Sequence, residues 1–156
     1  MTSTAISREL VVTRLIDAPR DKVFRAWTEA ALLERWMAPR PWTLSDAELD
    51  PRPGGVFAFA MQGPSGESFQ NTGVFLEVIP NEKIVTTDAY GPGWVPSDGA
   101  PFFTAIMTFE DRDGKTLYTA RARHWTDEAL EQHKAMGFAE GWGLTAAQLE
   151  EVAKSL

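Results

Sequence analysis

The chain has 156 residues and a net charge of −7, from 15 Lys and Arg against 22 Asp and Glu. That length fits one core better than two, and the acidic balance leaves no basic footprint for DNA, RNA or anionic lipid. No cysteine is present, which excludes disulfides, thiolate nucleophiles and cysteine-bound metals, while 44% hydrophobic residues, six of them Trp, exclude disorder.

The start, MTSTAISREL, lacks the basic and apolar regions of a signal peptide, and no stretch approaches the ~20 apolar residues that span a bilayer. A cytoplasmic chain is expected, with residues 1–7 flexible and 8–156 forming one domain. Arg8 to Ile16 is rich in β-branched residues and reads as a strand that stops before Asp17-Ala18-Pro19, where proline suits a helix's first turn. From Asp21 to Trp36, apolar Val23, Phe24, Trp27, Leu32, Leu33 and Trp36 recur at helical spacing, with Thr28 as a cap between two short helices.

After Pro39-Arg40-Pro41 the pattern turns to strands: 42–49, 55–62, 68–79, 83–90, 102–110 and 116–125, each bounded by turn residues such as Asp113-Gly114. Six consecutive strands predict an antiparallel meander. From Thr126, a capping residue, Ala135, Phe138, Trp142, Thr145, Leu149 and Val152 fall at threes and fours, which predicts one long amphipathic helix to Leu156. Gly137, Gly141 and Gly143 weaken that helix by roughly 1 kcal/mol each relative to Ala, so close packing, a bend or vacant space is expected beside them. The whole is an α+β arrangement: a curved seven-stranded antiparallel sheet, two short helices after strand 1, and a long C-terminal helix laid across one face.

Strand alternation selects cavity walls. Phe57, Phe59 and Met61 share one face, as do Phe103, Ala105, Met107 and Phe109, and Tyr118, Ala120, Ala122 and His124. Trp94 stands apart, on the glycine- and proline-rich segment Gly91 to Pro101, where it could form a lid. His124 and His133 are the only histidines and, with Asp88 and Glu77, the candidate acid–base groups. Gly114-Lys115-Thr116 lacks the first glycine of a phosphate loop, and Pro64-Ser65-Gly66 is not a nucleophile elbow. No triad, metal cluster or cofactor fingerprint is found, so no cofactor is expected.

Five fragments in order carry a resemblance: Ala18-Pro19 with Val23-Phe24-Arg25-Ala26-Trp27-Thr28; Leu33-x-x-Trp36; Arg52-Pro53-Gly54-Gly55; Gly73-Val74-Phe75-Leu76-Glu77-Val78; and Gly137-Phe138-x-x-Gly141-Trp142. Over about residues 8–153 the chain resembles the SRPBCC (START/Bet v 1-like) superfamily, in the group named after the C-terminal domain of the activator of Hsp90 ATPase. The resemblance implies a helix-grip fold with an apolar cavity between the sheet and the C-terminal helix. The group's name implies a chaperone contact, carried as a further partner expectation beside a homodimer.

Alternation and resemblance together nominate Trp36, Phe57, Phe59, Met61, Phe75, Tyr90, Phe103, Met107, Tyr118, His124 and Trp142 as cavity residues for a small hydrophobic or aromatic molecule. His124 or Tyr118 would set its orientation. The rival readings are a cyclase- or hydrolase-type enzyme using a buried His124, Asp88 or Glu77, and a chaperone-associated interaction module.

Overall fold

The computed structural model describes residues 8–156; the stretch 1–7 expected to be flexible lies outside the described residues. Strand β1 (Glu9–Ile16) leads into α1 (Arg20–Thr28) and α2 (Ala30–Leu33). Then come β2 (Thr43–Leu49), β3 (Val56–Gln62), β4 (Ser68–Ile79) and β5 (Lys83–Thr87), a small hairpin of β6 (Tyr90–Gly91) and β7 (Val95–Pro96), and β8 (Phe103–Arg112) and β9 (Lys115–His124). Helices α3 (Asp127–Ala135) and α4 (Phe138–Lys154) close the chain.

The main sheet is fully antiparallel in the order β1-β9-β8-β5-β4-β3-β2. The meander is therefore as the turn chemistry implies, and the first strand closes it beside the last. Register shifts between Ser45 and Glu48 and between Phe75 and Glu77 place bulges in β2 and β4, which bend and twist the sheet locally. At the first, Asp46 takes a positive φ of 54°, and the amide of Ala47 donates to the Glu34 carboxylate at 2.9 Å, tying the bulge to α2's end.

Helix α4 packs on α1 and β1 through its C-terminal half, where Ala146, Leu149, Val152 and Ala153 are buried. The core continues beneath α1 and α2 through Ile16, Val23, Leu33, Phe75, Ile84 and Phe109. Trp27 donates its indole N–H to the Tyr118 hydroxyl at 3.2 Å, and Trp36 donates to the Ala26 carbonyl at 3.0 Å, so both buried indoles are satisfied.

Three local expectations are corrected. The C-terminal segment is two helices: α3, which Thr126 caps by accepting from the Ala129 amide, ends at Met136, and Gly137 takes the left-handed φ of 89° before α4 begins. Left-handed backbone favours glycine, so the helical periodicity runs across a position where the chain itself turns. Thr28 is not a cap; its hydroxyl donates to the Phe24 carbonyl, and extended Glu29 separates α1 from α2. The strand expected over 83–90 stops at Thr87, where Asp88 turns the chain and Tyr90 enters the hairpin.

Candidate functional site: an aromatic cavity

The N-terminal half of α4 stands away from the sheet. Phe138, Gly141, Trp142 and Thr145, one stripe of that helix, face Phe57, Phe59 and Met61 of β3 and Phe103, Ala105 and Met107 of β8 across a cavity of about 620 Å3. Trp27, Trp36, Met37, Pro39 and Trp42 close one end, and Phe102 and His133 border the other side. Phe69 and Met136 belong to the lining yet are 54% and 67% exposed, so the mouth opens between the start of β4 and the junction of α3 with α4. The volume falls within the ~300–1,000 Å3 typical of small-molecule sites.

The nominated residues divide by depth. Trp36, Phe57, Phe59, Met61, Phe103, Met107 and Trp142 line the cavity. Phe75, Tyr118 and His124 are buried but lie behind the lining, Phe75 edge-on to Phe57 and Tyr118 beneath Trp27. Tyr90 is a correction: it is 38% exposed on the hairpin and packs edge-on to Trp94, outside the cavity. Trp94 is not a lid over this cavity either. It sits at φ 62° with its indole over Gly54, where a Cβ would lie 2.9 Å from its ring, so Gly54 provides the seat for that aromatic. Of the carboxylates, Glu77 is outside, paired with Lys83 at 2.7 Å. Asp88 lines the cavity.

The cavity's polar corner combines residues that look independent in the sequence. Nε2 of His124 lies 2.8 Å from Nδ1 of His133, and Nδ1 of His124 lies 3.0 Å from the Arg8 carbonyl oxygen. A carbonyl can only accept, so His124 carries its proton on Nδ1. With both rings neutral, Nε2 of His124 is then a lone pair that accepts from Nδ1–H of His133. Phe102, Phe103, Phe138 and Trp142 enclose the His133 ring at centroid distances of 4.9–5.7 Å. Burial in this aromatic cage, with a lesser contribution from His124, lowers the His133 pKa to about 4.

Across Phe102 lies Asp88. Its Oδ2 accepts the Phe102 amide at 2.9 Å, while its buried Oδ1 has no partner. Burial raises its pKa, opposed by amide donors led by Phe102. The sequence marks both His133 and Asp88 as titratable candidates; that they share one corner with Phe102 follows from the fold. Phe102, Phe138, Trp27 and Trp42 also line the cavity, and strand alternation does not point to them. A helical stripe through Phe138 and Trp142 was the available signal for the second of these.

The buried imidazole has a consequence for stability. His133 stays neutral in the fold but takes a proton near pH 6.5 once unfolded, so the unfolded chain binds more protons in between. Stability is therefore full above pH 6.5 and falls as the pH drops towards 4, with a loss on the order of 2–3 kcal/mol. Asp88 works in the opposite direction, since its raised pKa lets the fold hold a proton the unfolded chain releases. The His133 contribution is accordingly read as a difference: urea midpoints at neutral pH and near pH 4 should shift less in His133→Phe than in the unsubstituted chain. Equal shifts in the two proteins would contradict the assignment.

The sequence profile of the activator of Hsp90 ATPase homolog 1-like proteins matches residues 17–154. The chain belongs to that family. The crystal structure of a Nitrosomonas europaea protein is 39% identical to it and superposes with a TM-score of 0.91 over 96% of each chain. A Staphylococcus epidermidis protein solved by NMR is 26% identical, with a TM-score of 0.80 over 99% of this chain and 94% of the other. An Aeromonas hydrophila protein, itself described as like the same Hsp90 activator, is 19% identical with a TM-score of 0.71 over 94% and 92%, a likeness of fold alone. No curated protein matches the chain. Family membership accounts for the helix-grip fold, in which a curved sheet and the C-terminal helix enclose the space described above.

Proposed function

We propose that this family member binds a small hydrophobic or aromatic molecule in the cavity between the sheet and α4. The observation that carries the reading is the cavity itself: about 620 Å3, walled mainly by Trp, Phe and Met with a few polar side chains such as Asn71, Thr86 and Thr87, and with a mouth at Phe69 and Met136. Burial of apolar surface there contributes roughly 25 cal/mol per Å2 before the costs of association are deducted. Aromatic walls add offset and edge-to-face contacts with a flat ligand.

The lowered pKa of His133 favours recognition over acid–base turnover, because a ring that resists protonation is a poor proton store at neutral pH. Among the described residues no helix is long and apolar enough to cross a membrane.

The test is titration of the 15N-labelled chain with 2-methylnaphthalene, a flat probe with no hydrogen-bonding group. Amide and indole shifts should concentrate at Trp36, Trp42, Phe103, Gly141 and Trp142. Shifts scattered over the outer face of the sheet, or none up to the probe's solubility, would reject the reading.

A further inference from the structure

We propose that the cavity selects an aromatic alcohol: a flat apolar body ending in a hydroxyl group that donates its proton to Nε2 of His133. This rests on the ligand-binding reading above and specifies the chemistry of the bound molecule.

A chain of hydrogen bonds runs from the backbone inward to this ring. The Arg8 carbonyl oxygen also accepts the amide of His124 at 2.8 Å, so the segment entering β1 is fixed against the end of β9. That fixed acceptor sets the His124 tautomer, and His124 in turn draws the single proton of a neutral His133 to Nδ1. His133 lines the cavity with its Nδ1 already engaged, so the hydrogen-bonding atom it offers to a ligand is Nε2, a bare lone pair. No hydrogen-bond partner reaches Nε2 among the described residues, and the nitrogen is not wholly enclosed.

Beyond Phe102, the second unfilled atom is also an acceptor, Oδ1 of Asp88. Both of these atoms would be filled by a donor on the bound molecule. A ketone or an ether would add a further acceptor beside two that are unfilled, whereas a hydroxyl supplies the missing proton. The surrounding rings narrow the choice to a flat body: Phe103 lies nearly parallel to His133, at 4.9 Å and 30°, while Phe138 and Trp142 meet it edge-on. A phenolic hydroxyl is also a stronger donor than an aliphatic one, and it lies in the plane of the ring that such walls grip.

The experiment compares three probes of similar size by calorimetry on the full chain: 2-naphthol, 2-methoxynaphthalene and 2-methylnaphthalene. The expected result is binding of 2-naphthol about tenfold tighter than either other probe, the effect of one net hydrogen bond in a desolvated site. In His133→Phe the preference should vanish while the two non-donors bind as before. In the unsubstituted chain, imidazole 15N spectra should show both rings protonated on Nδ1, with the His133 Nε2 resonance moving when 2-naphthol is added. Equal binding of all three probes overturns the inference and leaves the ligand-binding reading intact. Binding of none overturns that reading as well. A proton found on Nε2 of His133 in the free protein overturns the inference whether or not the variant folds.

Discussion

Gln148→Met should cost about 3–6 kcal/mol, enough to unfold a large fraction of the chain under mild denaturation. Gln148 is 1% exposed, yet it is fully bonded: its Nε2 donates to the carbonyls of Trp36 and Ala38 at 2.7 and 2.8 Å, and its Oε1 accepts the Arg40 amide at 3.1 Å. One side chain of α4 thereby satisfies three backbone groups of the irregular segment between α2 and β2. That segment carries Trp36, Met37 and Pro39 into the cavity wall. Methionine has nearly the same length and volume, so packing is preserved and the loss falls on the unpaired groups, at about 1–3 kcal/mol for each one left buried. Set against a typical total of roughly 5–15 kcal/mol, that is severe. Urea unfolding measures it; a loss below about 1 kcal/mol would show that the segment is held by its apolar contacts.

Gly141→Phe should move binding and stability in opposite directions. Gly141 lies within α4 and lines the cavity, and a Cβ built there meets no atom within 4 Å. Glycine in a helix interior is less favourable than most residues by several tenths of a kcal/mol, and an added ring would occupy vacant apolar space instead of displacing neighbours. The variant should be at least as stable as the parent, by up to about 1 kcal/mol. Binding of 2-methylnaphthalene should weaken tenfold or more, because the ring fills the volume the ligand needs. A thermal melt and a calorimetric titration read the two effects separately. Undiminished affinity in a folded variant would locate the probe elsewhere.

Much of the architecture is legible because it rests on short-range patterns. Alternation in Val56 to Gln62 assigns Phe57, Phe59 and Met61 to one face, and the Asp113-Gly114 turn joins β8 to β9 as its chemistry demands, with both residues at positive φ. The site is less legible, since its deciding contacts join residues far apart in the chain or hidden by their type. Gln148 looks like a solvent-facing position of an amphipathic helix, and nothing local shows that three backbone groups over 100 residues away need it. Tyr90 looks like a strand residue because Ile84 to Thr87 precede it, but the turn at Asp88 redirects the chain before it arrives. His124 and His133 are nine residues apart on different elements, so no motif spacing links them, and only the packing of α3 on β9 sets their rings together.

The turn at Gly137 has one more consequence, which is rotational. Along a straight helix nine residues amount to two and a half turns, so His133 and Trp142 would project from opposite sides of an unbroken rod, about 180° apart. Their rings are instead 5.7 Å apart, and Phe138, which would also be well out of phase with His133, touches it at 5.0 Å. The left-handed residue thus acts as a phase shifter between two helical segments, each of which keeps its own buried face. A change in the length or handedness of that junction would rotate His133 out of phase with Phe138 and Trp142, so this one residue decides whether the polar corner is assembled.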